Sequence, residues 1–119
     1  MKYRFGGINI YAEQPEAVLQ FYKVLGFRVL QEPTEPWFGA MLALQMSAGQ
    51  VPVIWIWQRA EGDTSVCCNH LAFMTDGHLE TVYRQILSSG MECDPPFIAP
   101  WGGKELILHD PAGNELLFL

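Results

Sequence analysis

The chain has 119 residues, 50% of them hydrophobic, and this size suits one domain with its own core. Seven basic and thirteen acidic side chains give a formal net charge of −6, and the basic ones form no cluster, which argues against a nucleic-acid partner. No stretch approaches the ~18 apolar residues of a membrane span, and no signal peptide follows Lys2 and Arg4. We therefore expect a cytoplasmic protein with no membrane partner.

The first part of the chain reads as a strand, a helix and three further strands. Ile8 to Tyr11 has strand character, and apolar residues then recur at helical spacing up to Gly26, where the helix should end: Val18, Leu19, Tyr22 and Leu25. Runs rich in β-branched and aromatic residues, separated by Pro and Gly, predict strands at about 27–32, 39–46 and 51–58.

The same order of elements returns 63 residues after the first strand and 64 residues after the first helix. Leu71 to Met74 forms the strand, and the apolar helix face stops at Ser89-Gly90 after Val82, Tyr83, Ile86 and Leu87. Further strands are predicted at about 91–98, 104–109 and 114–119, and the polar segment from Arg59 to Ser65 joins the copies. The sequence predicts an α+β fold in one domain, with two βαβββ repeats, about 1–60 and 66–119, forming a cupped mixed sheet.

Common catalytic and nucleotide-binding motifs are absent from the sequence, which has no P-loop, GxGxxG, HExxH or GxSxG pattern. The three cysteines, Cys67, Cys68 and Cys93, have no CxxC spacing and no disulfide framework. We expect the adjacent pair to serve as small buried hydrophobic residues.

The order and spacing of several phrases together resemble the vicinal oxygen chelate superfamily, which includes glyoxalase I, extradiol dioxygenases and the fosfomycin- and bleomycin-resistance proteins. The resemblance covers essentially the whole chain. It rests on Phe21-Tyr22 with Leu25-Gly26-Phe27, on Asn69 to Phe73, and on Trp101 to Glu105 with Asp110 to Asn114. It implies the double βαβββ fold, but it says little about the reaction, because one fold carries many functions.

Metal-using members of this superfamily hold a divalent ion with His, Gln or Glu from the opening and closing strands of each repeat. The resemblance carries these positions onto Gly7, the apolar stretch from Ile54 to Ile56, His70 and Leu117. Because a catalytic metal needs about three protein ligands, we expect no metal and no other cofactor, with His70 alone at a family ligand position. A displaced site of His70, Glu115 and Asn9 is the alternative, and it would make the protein a metal-dependent lyase, isomerase or dioxygenase.

Aromatic side chains stand where metal ligands are missing. One face of the predicted strand at 51–58 carries Val51, Val53, Trp55 and Trp57. The other two tryptophans, Trp37 and Trp101, lie near the starts of other strands. Small-molecule sites are typically apolar cavities with a few polar groups, yet the same pattern fits ordinary core or dimer-interface residues, and both interpretations stay open at this point. Trp101-Gly102 before the Asp110 phrase resembles the bleomycin-resistance branch, whose members bind planar or cationic drugs without metal.

The sequence therefore predicts a metal-independent protein that binds an aromatic or cationic small molecule and acts by sequestration rather than as an enzyme. Stacking would come from Trp37, Trp55, Trp57 and Trp101, and polar groups of the ligand would be oriented by His70, Asn9 and Glu115. Units of the resembled family usually pair, so we also expect a homodimer. The other hypothesis is a structural or interaction module whose pocket is vestigial.

The lack of metal-binding side chains at family ligand positions leads to a prediction about metal. If Gly7 and Leu117 occupy the ligand positions, the purified protein should hold zinc, nickel or iron no better than an exposed histidine does. His70→Ala should then leave the stability nearly unchanged, both with and without chelator. Metal analysis after dialysis tests this, and stoichiometric metal that survives dialysis would contradict it.

Overall fold

Each sequence repeat folds into a compact unit. The computed structural model describes residues 1–3, 5–44, 53–63 and 68–119, and its two units are Met1–Cys67 and Cys68–Leu119. The predictions about Val51, Cys67 and the remainder of 45–52 and 64–67 lie outside the described residues. The single-domain assignment stays a prediction.

The first unit contains one four-stranded mixed sheet and one helix. Its elements are β1 (Ile8–Ala12), α1 (Pro15–Val24), β2 (Phe27–Gln31), β3 (Ala40–Leu44) and β4 (Val53–Gln58). The strand order is β1-β4-β3-β2, with β1 parallel to β4 and the other neighbours antiparallel. The helix α1 packs against β1, β2 and β4, so one face of this sheet is covered by its own helix.

Burial alternates along β1 and β4 because successive strand side chains point to opposite faces. Ile10, Ile54 and Ile56 are at most 3% exposed, and the α1 residues Val18 and Tyr22 are buried as well. These side chains form the core between the helix and the sheet. The intervening residues of β1 and β4 consequently lie on the face that α1 does not cover.

A glycine follows each helix two residues after its last residue, close to where the sequence predicts the helix end. Gly26 and Gly90 have φ values of +99° and +90°, a left-handed conformation that residues with a Cβ rarely adopt. The N–H of Gly26 donates to the carbonyl of Lys23 at 3.0 Å, and the N–H of Gly90 donates to that of Leu87 at 3.1 Å. These bonds satisfy carbonyls that the helix ends leave without a partner.

The second unit repeats this arrangement. Its elements are β5 (His70–Phe73), α2 (Leu79–Ser88), β6 (Phe97–Ile98), β7 (Lys104–His109) and β8 (Glu115–Phe118). The strand order β5-β8-β7-β6, with β5 parallel to β8, matches that of the first unit and confirms the double βαβββ fold of the α+β class. The strand expected at 91–98 is only two residues long, because Pro95 and Pro96 have no N–H to donate to a ladder.

The cysteine prediction is wrong for Cys68, which is exposed just before β5. Its Sγ lies 4.0 Å from the carbonyl oxygen of Ala112. Cys93 is partly buried. The pKa of its thiol is raised mainly by this burial and to a smaller extent by the nearby charge of Asp94. A raised pKa keeps the thiol protonated at neutral pH, which makes Cys93 a poor nucleophile.

No helix within the described residues has the length and apolar character needed to cross a membrane.

The turn between β7 and β8 contains a buried polar network built on Asp110 and Asn114, which are 5% and 3% exposed. One Asp110 carboxylate oxygen accepts the N–H groups of Ala112 and Asn114, both at 2.9 Å, and the other accepts the Asn114 side-chain amide at 2.8 Å. The Asn114 side-chain oxygen in turn accepts the N–H of Asn69 at 2.7 Å. The network therefore ties the β7–β8 turn to the residue that precedes β5.

We predict that Asp110→Ala lowers the free energy of unfolding by about 2–4 kcal/mol, because it leaves buried N–H donors without an acceptor. Asp110→Asn should lose less, since its remaining oxygen can still accept the backbone N–H groups. Chemical denaturation measures both changes. The control is Asp94→Ala, at an exposed aspartate, which should stay within about 0.5 kcal/mol of the original chain. Equal stabilities of the two alanine variants would contradict the structural role of Asp110.

Candidate functional site

The face of the first sheet that α1 leaves uncovered is lined mainly by large side chains. Asn9 pairs with Trp55 and Tyr11 with Trp57 across β1 and β4, and Met41 of β3 pairs with Trp55. Residues directly opposite each other on neighbouring strands project to the same face. These five side chains thus form one surface, which we call the aromatic face.

The two tryptophans of the aromatic face are stacked. The ring centroids of Trp55 and Trp57 are 5.5 Å apart and their planes differ by 11°. The indole N–H of Trp57 donates to the side-chain oxygen of Asn9 at 2.9 Å. An ideal Cβ at Gly39 would lie 3.3 Å from Cζ3 of Trp57, so the ring also closely approaches the start of β3. The stack and the hydrogen bond together restrict how these rings can turn.

The alternative in which Trp55 and Trp57 belong to the core beneath the helix does not hold within this unit. Both rings are half-buried, while Ile54 and Ile56 of the same strand are the residues that pack under α1. The aromatic pair therefore lies on the helix-free side of its own sheet. This position agrees with a surface for a ligand or for a second chain.

In the second unit, one carboxylate lies between two histidines on neighbouring strands. Glu115 of β8 is directly opposite His70 of β5 and also opposite His109 of β7. The distance from His70 Nδ1 to Glu115 Oε2 is 2.8 Å, and that from His109 Nε2 to Glu115 Oε1 is 3.9 Å. The His70 side chain is 76% exposed and that of Glu115 30%, so this polar group is accessible.

The residues at the superfamily's metal positions do not fit a divalent ion. Gly7 has no side chain, Ile54 and Ile56 point toward α1, and Leu117 is aligned with the apolar Ala72 and Ile107. His70 is thus the one position with a suitable donor. Across the part of the chain that the structure describes, no group of three or more His, Cys, Asp or Glu is arranged to hold a metal.

The displaced arrangement of His70, Glu115 and Asn9 stays a prediction, and the contacts of its members are known within their own units. Asn9 uses its side-chain oxygen to accept from Trp57 in the first unit. Glu115 is engaged by His70 in the second unit. Asn9 therefore belongs to the aromatic face, and Glu115 with His70 forms a polar group in the second unit.

The other two tryptophans predicted for the site are strongly exposed. Trp37 is 65% exposed and lies just before β3, and its carbonyl accepts the N–H of Gln58 at 2.8 Å. Trp101 is 67% exposed and lies in the turn between β6 and β7. Their contribution to a site stays a prediction.

Two cavities of about 350 and 450 Å³ lie in the first unit, and both are lined by Glu13 and Gln58. Their linings include neither Trp55 nor Trp57. Glu13 lies just before α1, and an acidic side chain at a helix N-terminus is favourable for the helix itself, so its presence in both linings has a structural explanation.

Sequence reasoning did not include three residues that share faces with the predicted ones. Tyr11 and Met41 lie on the aromatic face, and His109 lies beside Glu115. The signal that finds them is the register between strands, which needs the sheet order rather than the sequence of one strand. Tyr11 follows from the pairing of β1 with β4, Met41 from that of β3 with β4, and His109 from that of β7 with β8.

Comparison with known proteins agrees with this architecture. The family model of the Glyoxalase/Bleomycin resistance protein/Dioxygenase superfamily matches residues 4–118. A search of curated proteins gave no match.

Several solved structures share the fold. A glyoxalase family protein from Enterococcus faecalis is 25% identical with a TM-score of 0.71, covering 97% of this chain and 95% of that one. A bleomycin-binding protein complexed with bleomycin is 21% identical with a TM-score of 0.69, over 98% and 97%. A lactoylglutathione lyase from Agrobacterium tumefaciens is 15% identical with a TM-score of 0.70, over 98% and 92%. The chain belongs to the glyoxalase/bleomycin resistance protein/dioxygenase superfamily, as its repeats and phrases indicate.

Proposed function

We propose that this protein binds a small molecule without a metal ion and acts by sequestering it. The observation that carries the proposal is the stacked Trp55–Trp57 pair on the helix-free face of the first sheet. Binding through this face would bury apolar ring surface that α1 cannot reach. The hydrophobic effect and stacking would then supply most of the affinity.

The geometry of the pair suits a planar ligand. Two nearly parallel indoles present flat surfaces, and the hydrogen bond from Trp57 to Asn9 holds one of them in place before binding. Fewer rotamers are then lost when a ligand binds, which raises affinity at a given contact area. The half-buried rings leave room for a further aromatic surface to stack.

A positive charge on the ligand fits the electrostatics of the chain. The formal net charge is −6, and an indole face attracts a cation through its quadrupole. In the second unit, Glu115 with His70 offers a partner for a polar or cationic group. We include Trp37 and Trp101 in the proposal as additional stacking surfaces, and a second copy of the chain in a homodimer as the assembly.

The superfamily contains binders and enzymes, so membership alone does not choose between them. The solved neighbours include both a bleomycin-binding protein and a lactoylglutathione lyase, each at 21% identity or less. Residue chemistry favours binding here, because Gly7 and Leu117 occupy positions that the metal-dependent enzymes use for ligands. Sequestration also needs no acid, base or nucleophile at the aromatic face.

We predict that Trp57→Ala weakens the binding of planar aromatic cations by at least about tenfold, or about 1.4 kcal/mol, because it removes half of the stack. The loss in unfolding free energy should be smaller than the about 3–5 kcal/mol of a fully buried aromatic residue. Calorimetric titration with a panel of such cations, starting with ethidium, measures the affinity, and a melting curve measures the stability.

The adjacent residue supplies the matched control. Ile56→Ala removes a side chain that is fully buried under α1, so it should cost about 2–5 kcal/mol of stability and leave the affinity of the folded protein unchanged. A panel that gives no heat with the original chain, together with a collapsed melting temperature for Trp57→Ala, would contradict the binding function and favour a structural role.

A further inference from the structure

Trp101 is an exposed tryptophan whose ring lies directly on a glycine. An ideal Cβ built on Gly103 would fall 1.8 Å from Cη2 of Trp101, 2.1 Å from Cζ3 and 2.4 Å from Cζ2. The similar distances to three bonded ring atoms place that Cβ over the ring face rather than beside its edge. Real Cβ atoms essentially never come within 3.0 Å of another heavy atom, so no side chain at position 103 is compatible with this position of the indole.

The backbone does not explain why position 103 is a glycine. Gly102 has a φ of +98°, which favours glycine by itself. Gly103 has no such angle, and its backbone conformation is open to any residue. What excludes a Cβ at position 103 is therefore the ring of Trp101 in this position and not the turn.

Two backbone hydrogen bonds stabilise the turn that carries Trp101. The N–H of Ala99 donates to the carbonyl of Gly103, and the N–H of Gly102 donates to that of Ala99, both at 2.8 Å. Pro100 stands at the second position of this turn, where its fixed φ is favourable. A rigid turn thus holds a large apolar ring that remains 67% exposed.

Strand alternation shows on which face the ring lies. Lys104 reaches toward α2, with its Nζ 3.7 Å from Glu80, and Leu106 is buried on the same side. Position 103 therefore faces the opposite side, the side of Glu105 and Ile107. This is the α2-free face that also carries His70, Glu115 and His109.

We infer that Gly103 is a positioning residue: its missing side chain lets the indole of Trp101 lie on the backbone just before β7, with the opposite ring face free to stack on a planar aromatic group of the ligand. The ligand part of this inference rests on the proposed function. The contact between Gly103 and Trp101 does not.

The contact is tested by NMR without any ligand. Ring currents should shift the Gly103 α-proton resonances upfield, and this shift should disappear in Trp101→Ala. Gly103→Ala should move the Trp101 indole N–H resonance more than those of the other three tryptophans. The matched control is Gly6→Ala, because a Cβ there meets nothing within 4 Å and the backbone φ is ordinary.

The ligand role is tested by titrating the same variants with ethidium. Trp101→Ala and Gly103→Ala should each weaken binding by about three- to tenfold, the loss of one aromatic contact. Gly103→Ala should cause no further loss in the Trp101→Ala background, because the two residues act through one contact. Gly6→Ala should bind as the original chain does.

The outcomes separate the two parts. The positioning role of Gly103 would be overturned if Gly103→Ala and Gly6→Ala gave the same indole resonances and the same affinity for ethidium. Normal ring-current shifts with no ethidium binding by the original chain would contradict the proposed function, while still supporting Gly103 as the residue that positions Trp101. Additive losses in the double variant would overturn the claim that Gly103 acts through Trp101.

Discussion

Burial of Ile10, Ile54 and Ile56 beneath α1 is the constraint on which the first unit depends. A shift of one residue in the pairing of β1 with β4 would exchange the two faces of a strand, bringing Trp55 under the helix and the isoleucines to the surface. The helix α1 therefore determines which strand residues form the core. The remaining residues of β1 and β4 lie on the opposite face of the sheet. The proposed ligand surface is a consequence of how the sheet is anchored.

The buried network of Asp110, Asn114 and Asn69 has the corresponding effect in the second unit. Three hydrogen bonds to the Asp110 carboxylate shape the turn before β8, and Asn114 connects that turn to the start of β5. The parallel pairing that follows puts His70 opposite Glu115. A phrase that marks the superfamily in sequence thus has a structural purpose, and the charged group beside it depends on that turn.

Much of the fold can be predicted from local patterns. Helical periodicity, the glycines after the helices and the apolar runs of the strands all depend on residues that are close in the sequence. The exception at 91–98 follows from Pro95 and Pro96, whose missing N–H groups shorten β6. The common face of Trp55 and Trp57 also follows from alternation alone. Which face that is depends on the position of α1, which a strand read by itself does not show.

The rest of the candidate site depends on contacts between side chains that the order of residues does not show. The hydrogen bond from Trp57 to Asn9 joins residues that are 48 positions apart, and the two histidines meet Glu115 only through the order of strands in the sheet. The contact between Gly103 and Trp101 is close in sequence but invisible in it, because two adjacent glycines suggest a turn and do not show which of them lies beneath a ring.

The central claim is that a planar ligand binds to the helix-free aromatic face without metal. The most direct measurement follows the tryptophan indole N–H resonances and the isoleucine methyl resonances while ethidium is added in the presence of EDTA. Binding at the aromatic face should give saturable shifts for Trp55 and Trp57 and leave the methyl groups of Ile54 and Ile56 little changed. Binding that appears only after zinc is added, or shifts confined to the core methyl groups, would contradict it.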